Sequence, residues 1–247
     1  MSVVVITGAS RGIGARTALE CARDGRGVIL TFNKESAAAA QVVRHIEEHG
    51  GKAVALHLDL SQSGSFAAFR NNVRDALQTV WGVTMLDGLV NNAGHGFFKP
   101  IEAVSEAEFD GLLNVHLKGP FFLTQALLPL LSRGASIVNL TSATTRVATA
   151  GVAPYASAKG GLEVLTRYMA KEFGERAIRA NAVSPGAIRT TLGGGLTPAF
   201  EALLASQTAL GRVGETVDVA RVIRFLLSPD SEWINAQTIE VAGGYLV

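Results

Sequence analysis

The sequence predicts an α/β fold, a doubly wound parallel sheet of about seven strands with helices on both faces. Three features carry that expectation. Short runs rich in Val, Ile and Leu recur along the chain, they are apolar nearly throughout, and segments of helix length separate them. Strands without polar alternation are covered on both faces, and connections of helix length join strands that run the same way. Right-handed crossovers then wind the sheet outward in two directions.

The strand candidates are residues 3–7, 27–32, 53–58, 86–90, 136–140, 178–183 and 238–241. Apolar residues spaced by three and four mark helices at 37–49 and 65–80, and a further apolar helix is expected around 121–131. Pro154 fits the first position of a helix that carries Tyr155 and Lys159. The least regular stretch, residues 189–210, holds Gly193-Gly194-Gly195 and Pro198 and is expected to form a substrate-side flap or short helical lid. No Pro/Ser-rich linker, charge block or repeat divides the chain, so residues 1–247 are expected to form one domain.

Composition narrows the function classes. With 22 Lys+Arg against 21 Asp+Glu the net charge is +1, which leaves no electrostatic footprint for nucleic acid or an anionic membrane. Charged residues make up 17% of the 247, against about 25% in typical domains, and 48% are hydrophobic. Such a chain folds, and its low charge points to surface covered by a partner subunit. The one cysteine, Cys21, excludes an intrachain disulfide framework and fits a reducing compartment. The longest apolar stretch, 121–131, is broken by Thr124, Gln125 and Pro129 and is shorter than the roughly 18 residues of a membrane span. Met1-Ser2 leads straight into the first apolar run without a basic leader, so a soluble cytoplasmic protein is expected.

The first strand ends in Thr7-Gly8-Ala9-Ser10-Arg11-Gly12-Ile13-Gly14 and then turns helical. A glycine-rich strand-to-helix turn lets the backbone approach a pyrophosphate whose charge sits at the helix N-terminus. No Gly-Lys-Ser/Thr closes the run, which argues against a P-loop. An NAD site calls for an acid at the end of the second strand to hold the ribose 2′-hydroxyl. That end reads Thr31-Phe32-Asn33-Lys34, with no carboxylate before Glu35. Lys34 and Arg11 could flank a 2′-phosphate, with Asn33 and Ser36 adding neutral hydrogen bonds, and this favours NADP(H) over NAD.

Tyr155 and Lys159 are four residues apart, on one helix face. A nearby ammonium favours tyrosinate and is expected to lower the phenol toward working pH, making Tyr155 a general acid/base. Ser142 lies just past the fifth strand, at the carboxyl edge where such sheets bind ligands.

Together these residues resemble the short-chain dehydrogenase/reductase family. The glycine loop, Asn91-Asn92-Ala93-Gly94 after the fourth strand, Asn114, Ser142, Tyr155-x-x-x-Lys159 and Pro185-Gly186 occur in the family's order over essentially the whole chain. The chain looks most similar to the branch of 3-oxoacyl-acyl-carrier-protein reductases, glucose dehydrogenases and small-carbonyl reductases. The resemblance implies a Rossmann fold and hydride transfer between NADP(H) and a carbonyl or secondary alcohol. It implies that Tyr155 exchanges the proton, Ser142 holds the carbonyl oxygen and Lys159 holds the nicotinamide ribose. Asn114 would hold a water that links Lys159 to solvent. Gly8, Ser10, Arg11, Gly12, Ile13 and Gly14 would cradle the pyrophosphate, while Asp59 and Leu60 meet adenine. Asn91, Ala93 and Gly94 would line the groove, and Pro185, Gly186, Ile188 and Thr190 would meet the carboxamide. A homotetramer follows from the same resemblance.

The substrate is expected to be a small-molecule carbonyl or alcohol, either a 3-oxoacyl thioester or a small hydrophobic ketone. An NAD-linked alcohol or sugar dehydrogenase and a non-catalytic dinucleotide sensor or scaffold remain as alternatives. Arg133, Arg146 and Arg167 are the cations available to an acidic carrier, with Arg146 at the pocket margin. His95 stands where the family usually has an aliphatic residue, Ala236 where Gly is common, and Ala242 where Asp is frequent. His45-Ile46-Glu47-Glu48-His49 matches a zinc-peptidase spacing but lacks a third ligand, so no metal is expected. Asn139-Leu140-Thr141 matches a glycosylation acceptor inside a strand that should be buried.

Overall fold

All seven apolar runs become strands of one sheet, in the order β3-β2-β1-β4-β5-β6-β7. These are β1 (Val3–Ile6), β2 (Gly27–Phe32), β3 (Ala53–His57), β4 (Leu86–Asn91), β5 (Leu131–Leu140), β6 (Arg179–Pro185) and β7 (Thr238–Val241), and every pairing is parallel. The computed structural model describes residues 2–247. Winding starts at β1, runs outward through β2 and β3, then crosses back to β4 on its other side. The carboxyl ends of β1 and β4 therefore flank the switch point where such sheets take ligands.

Helices cover both faces. Val3 and Val5 join one core with α3 (Phe66–Ala76), α5 (Gly119–Leu127) and α6 (Ala153–Glu172), through Phe66, Leu123 and Met169. Val4 and Ile6 join the other with α1 (Gly12–Arg23), α2 (Ser36–Glu48) and α8 (Thr216–Leu226), through Ala18, Ile46 and Ile223. Successive side chains point to opposite faces, so a strand between two helical layers has to be apolar at every position.

The boundaries differ from expectation where the sheet is irregular. β5 begins at Leu131, ahead of the run at 136–140, because Leu131 pairs with Leu86 while Ser136 pairs with Gly88. The intervening residues bulge, and the Ser132 hydroxyl donates to Asp87 at 3.2 Å. The helix expected through residue 131 stops at Leu127, followed by a 3₁₀ turn at Leu128–Leu130 that contains Pro129. The stretch expected as one helix over 65–80 is a 3₁₀ turn at Ser63–Ser65, then α3, then a π-helical turn at Leu77–Trp81. A second π turn, Asn114–Lys118, joins α4 (Glu106–Leu113) to α5. Inside 189–210 the chain forms a 3₁₀ turn at Leu192–Gly194 and α7 (Pro198–Ser206). Pro154 sits in the first turn of α6. No helix among the described residues is long and apolar enough to cross a membrane.

Candidate active site

The turn from β1 to α1 is shaped by Thr7. Its hydroxyl accepts hydrogen bonds from the backbone N–H of Asn92 (2.9 Å) and Ala93 (3.0 Å), tying the turn to the end of β4. The Asn92 amide donates to the carbonyls of Thr7 (2.8 Å) and Gly8 (3.1 Å). Gly8 has φ +62°, and a Cβ there would lie 2.6 Å from Ala93 Cα. A Cβ on Gly14 would lie 2.4 Å from the Asn92 amide nitrogen. Both positions therefore need glycine for close approach. No side chain caps α1, and its first turn carries no acid, so its amide groups face the cleft as an anion site.

That cleft has a volume of about 640 Å³ and runs over the carboxyl ends of β1, β2 and β4 to α6. Its walls include Gly8, Ser10, Arg11, Gly12, Ile13, Asn33, Lys34, Asp59, Leu60, Ala93, Gly94, Tyr155, Lys159 and Thr190. Arg11 and Lys34 are exposed there and join none of the ion pairs among the described residues. Glu35 shares the same end of the cleft. Asp59 is below the usual carboxylate range: burial opposes this, but hydrogen bonds from the Ser61 hydroxyl (2.8 Å), the Ser61 N–H (2.9 Å) and Asn33 outweigh it. Ser36 lies at the start of α2 and does not line the cleft.

At the other end, α6 presents Tyr155 and Lys159 one turn apart. Tyr155 stands beside Ser142, whose hydroxyl accepts from Thr144 Oγ1 at 2.9 Å. Burial pushes the phenol above its ordinary value, against the pull of the Ser142 hydroxyl. The expected lowering by Lys159 is thus reversed, because desolvation disfavours tyrosinate more than the neighbouring groups favour it. Lys159 Nζ lies 5.7 Å from the Tyr155 ring centroid and donates to the Leu140 carbonyl at 2.6 Å. Complete burial brings the lysine down from 10.5 to about 8.

The π turn before α5 sends His116 into this end of the cleft, where the imidazole is 1% exposed. Its ring stands edge-on to Tyr155, with centroids 5.1 Å apart, and the His95 ring follows at 5.2 Å. Burial, then the charges of Lys159 and His95, take its pKa from 6.5 to about 2, so it is neutral at any working pH.

A family model described as enoyl-(acyl carrier protein) reductase matches residues 8–246. An uncharacterised oxidoreductase of Methylorubrum extorquens is 39% identical over 245 residues, covering 98% of this chain and 96% of that one. The hydroxynaphthalene reductase-like protein Arp2 of Metarhizium majus is 33% identical over 258 residues, covering 98% and 94%. The angucycline C-6 ketoreductase LanV, solved with bound NADP, superposes with a TM-score of 0.95 at 33% identity, covering 99% of this chain and 95% of that one. A further LanV structure holds NADP and rabelomycin. This chain is a short-chain dehydrogenase/reductase.

As a short-chain dehydrogenase/reductase, the chain places several residues differently from the sequence expectation. The Asn91 side chain turns from the groove into the core, donating to Asn139 (2.8 Å) and Thr124 (3.3 Å). The neighbouring Asn92 shapes the cofactor loop instead. Asn114 is half-buried at the start of the π turn and outside the cleft wall, whose place His116 takes. Pro185 is buried at the end of β6, and the Ile188 side chain packs into the core. Gly186 packs on the C-terminal segment, since a Cβ there would lie 2.8 Å from Ala242 Cβ. Arg146 is turned away to Glu240 (2.7 Å) and the carbonyls of Tyr245 (2.7 Å) and Leu246 (3.1 Å). His45 and His49 stack at 4.4 Å at the C-terminal end of α2, with the His49 ring against the His45 carbonyl, and no third potential ligand clusters with them among the described residues.

Proposed function

We propose that this short-chain dehydrogenase/reductase is an NADPH-dependent ketoreductase, converting a ketone on a flat hydrophobic scaffold into a secondary alcohol. One observation carries the reading: at the end of the cleft, a phenol beside Ser142 stands one helical turn from a buried lysine. A phenol held above its ordinary pKa stays protonated at neutral pH, which suits an acid that must give its proton away.

The cleft suits a phosphorylated dinucleotide in shape and in charge. The Gly8 and Gly14 cradle, the uncapped start of α1 and the unpaired Arg11 and Lys34 favour NADPH, with Asn33 beside them and Leu60 toward adenine. NADPH, when bound, supplies the hydride. Tyr155 gives its proton to the carbonyl oxygen, and Ser142 donates a hydrogen bond to that oxygen as negative charge develops. Lys159 holds positive charge beside the phenolate left behind and is positioned for the ribose hydroxyls. Thr190 and Leu192 line the cleft at the base of 189–210, which we assign as the substrate-side flap.

The aromatic substrate class draws on the names of two relatives, a hydroxynaphthalene reductase-like protein and an angucycline ketoreductase with rabelomycin. A second reading, a 3-oxoacyl thioester, draws on the matched family description. The test is NADPH oxidation by the wild type and Tyr155→Phe with aromatic ketones, acetoacetyl thioesters, diketones and sugars, with NADH in parallel. Turnover of aromatic ketones that is lost in Tyr155→Phe supports the reading. Preference for thioesters or NADH overturns its substrate or cofactor half, and NADPH binding without turnover marks a sensor.

We also propose a homotetramer. Phe121 and Phe122 on α5 and Val164 and Tyr168 on α6 are exposed on one side, and Trp233 and Val247 are exposed near the C-terminal strand. Exposed apolar residues at these two places support burial against further copies of the chain. A monomeric mass by light scattering at assay concentration would refute it.

A further inference from the structure

Two histidines line the cleft without a part in the chemistry above. They are built around each other. His116 Nε2 lies 3.0 Å from the His95 carbonyl oxygen and 3.4 Å from its backbone nitrogen. Gly94 makes room for this, since a Cβ there would lie 2.5 Å from His116 Cε1. A neutral Nε2 makes only one of these bonds, and the shorter contact makes it the donor to the His95 carbonyl, while edge-to-face packing at 5.2 Å supports the His95 ring in the cleft wall.

The tautomer of His95 follows from its own contact. Nδ1 lies 3.2 Å from the Gly96 carbonyl oxygen, which only accepts, so Nδ1 carries the hydrogen. Nε2 of the neutral ring is then a bare acceptor on an exposed residue of the cleft wall. An acceptor held by one backbone contact and by packing on the His116 ring is preorganised for a donor on the ligand. The His95 ring packs on the His116 ring, which in turn packs edge-on to Tyr155, so His95 and Tyr155 line the same end of the cleft without touching in any aromatic pair among the described residues.

We propose that His95 is the specificity-determining residue of this cleft, accepting through Nε2 a hydrogen bond from a hydroxyl group of the substrate. The preferred substrates are then ring-hydroxylated ketones. The assignment rests on the ketoreductase reading above and names its substrate class.

Binding separates the two ideas, because a ketone cannot be reduced in a complex with NADP⁺. Affinities of α-tetralone and its ring-hydroxylated isomers for the NADP⁺ complex are measured by titration calorimetry, in the wild type, His95→Phe and His95→Gln. In the wild type at least one hydroxylated isomer binds about tenfold tighter than α-tetralone, the worth of one good hydrogen bond. His95→Phe keeps the ring but lacks the acceptor, so the advantage falls to about twofold or less. His95→Gln keeps an acceptor and regains part of it, and NADP⁺ affinity is the same in all three proteins. No preference in the wild type, or the same preference in His95→Phe, overturns the proposal. Steady-state rates with NADPH are read beside this. A His95-dependent preference without turnover faults the ketoreductase reading and leaves His95 in place, whereas turnover without that preference does the reverse.

Discussion

Lys159 Nζ donates to the carbonyl of Leu140, the last residue of β5, and this 2.6 Å bond ties the catalytic helix to the strand that leads into Ser142. It is the one hydrogen bond seen for a fully buried ammonium among the described residues. The lysine is held in place at a cost to the fold.

That cost can be measured. The folded value of about 8 lies below the ordinary 10.5, so between these values the unfolded chain binds more protons than the folded one. The contribution of Lys159 to stability therefore rises with pH through this window, and its full penalty, on the order of 3 kcal/mol, stands below it. Lys159→Met leaves the Leu140 carbonyl without its partner, yet is expected to stabilise the protein at neutral pH by roughly 1–2 kcal/mol. The gain shrinks as pH approaches 10.5. Urea unfolding of both proteins at neutral and alkaline pH measures this, and a less stable variant at neutral pH would refute it.

On the proposed mechanism, the same lysine is expected to set the pH dependence of turnover. As pH rises through about 8, Lys159 loses the charge that favours the phenolate left after proton transfer. Reduction is expected to decline over that range, while alcohol oxidation, which needs Tyr155 deprotonated at the start, gains. Initial rates in both directions at saturating substrate check this, and parallel profiles would contradict it.

His116 carries the opposite lesson at acid pH. Its folded pKa of about 2 is below the ordinary 6.5, so the unfolded chain takes up a proton that the folded chain refuses. The stability associated with neutral His116 is complete above 6.5 and is lost progressively as pH falls toward 2. Going from near neutrality to pH 5, the wild type is expected to lose about 2 kcal/mol more than His116→Phe. Equal losses in denaturant titrations at the two pH values would show that the ring is not kept neutral.

His116 also shows where sequence reading runs out. The strands were legible because a sheet covered on both faces needs apolar residues at every position, and the glycine loop because Gly8 and Gly14 leave no room for a Cβ. Asn114 and His116 are two positions apart on a helical segment, hence on nearly opposite sides, and only the phase of the π turn decides which one meets Tyr155. The Asn91-Asn92 pair raises the same problem on a strand, where adjacent side chains point to opposite faces. Which asparagine faces the core depended on finding Asn139 and Thr124 beside it.

Ala236 was legible as a departure, and the backbone explains it. Its φ is +61°, in the left-handed region where L-residues are strained by about 1–2 kcal/mol and glycine is not. Glycine loses more chain entropy on folding, which offsets roughly half of that relief. Ala236→Gly is therefore expected to raise the melting temperature by about 2 °C. A fall in scanning calorimetry would mean that the packing of the alanine methyl against the core outweighs the strain.

The glycine turn and the Lys34 end of the cofactor cleft make separable contributions, and two variants tell them apart. Asn92 holds the Thr7 and Gly8 carbonyls, so Asn92→Ala loosens the turn that receives the pyrophosphate, a part NADPH and NADH share. Both cofactors should lose affinity by the same factor, about tenfold for two bonds of ordinary strength. In the proposed site Lys34 meets the 2′-substituent, the part in which the two cofactors differ, and it lines the cleft with Arg11 and Glu35. Lys34→Asp adds a second carboxylate there and should weaken NADPH much more than NADH, reversing or erasing the preference. Fluorescence titrations of both cofactors against both variants give four dissociation constants. A uniform loss in Lys34→Asp would mean that the lysine does not read the 2′-phosphate, and the NADPH preference would then rest on Arg11 alone.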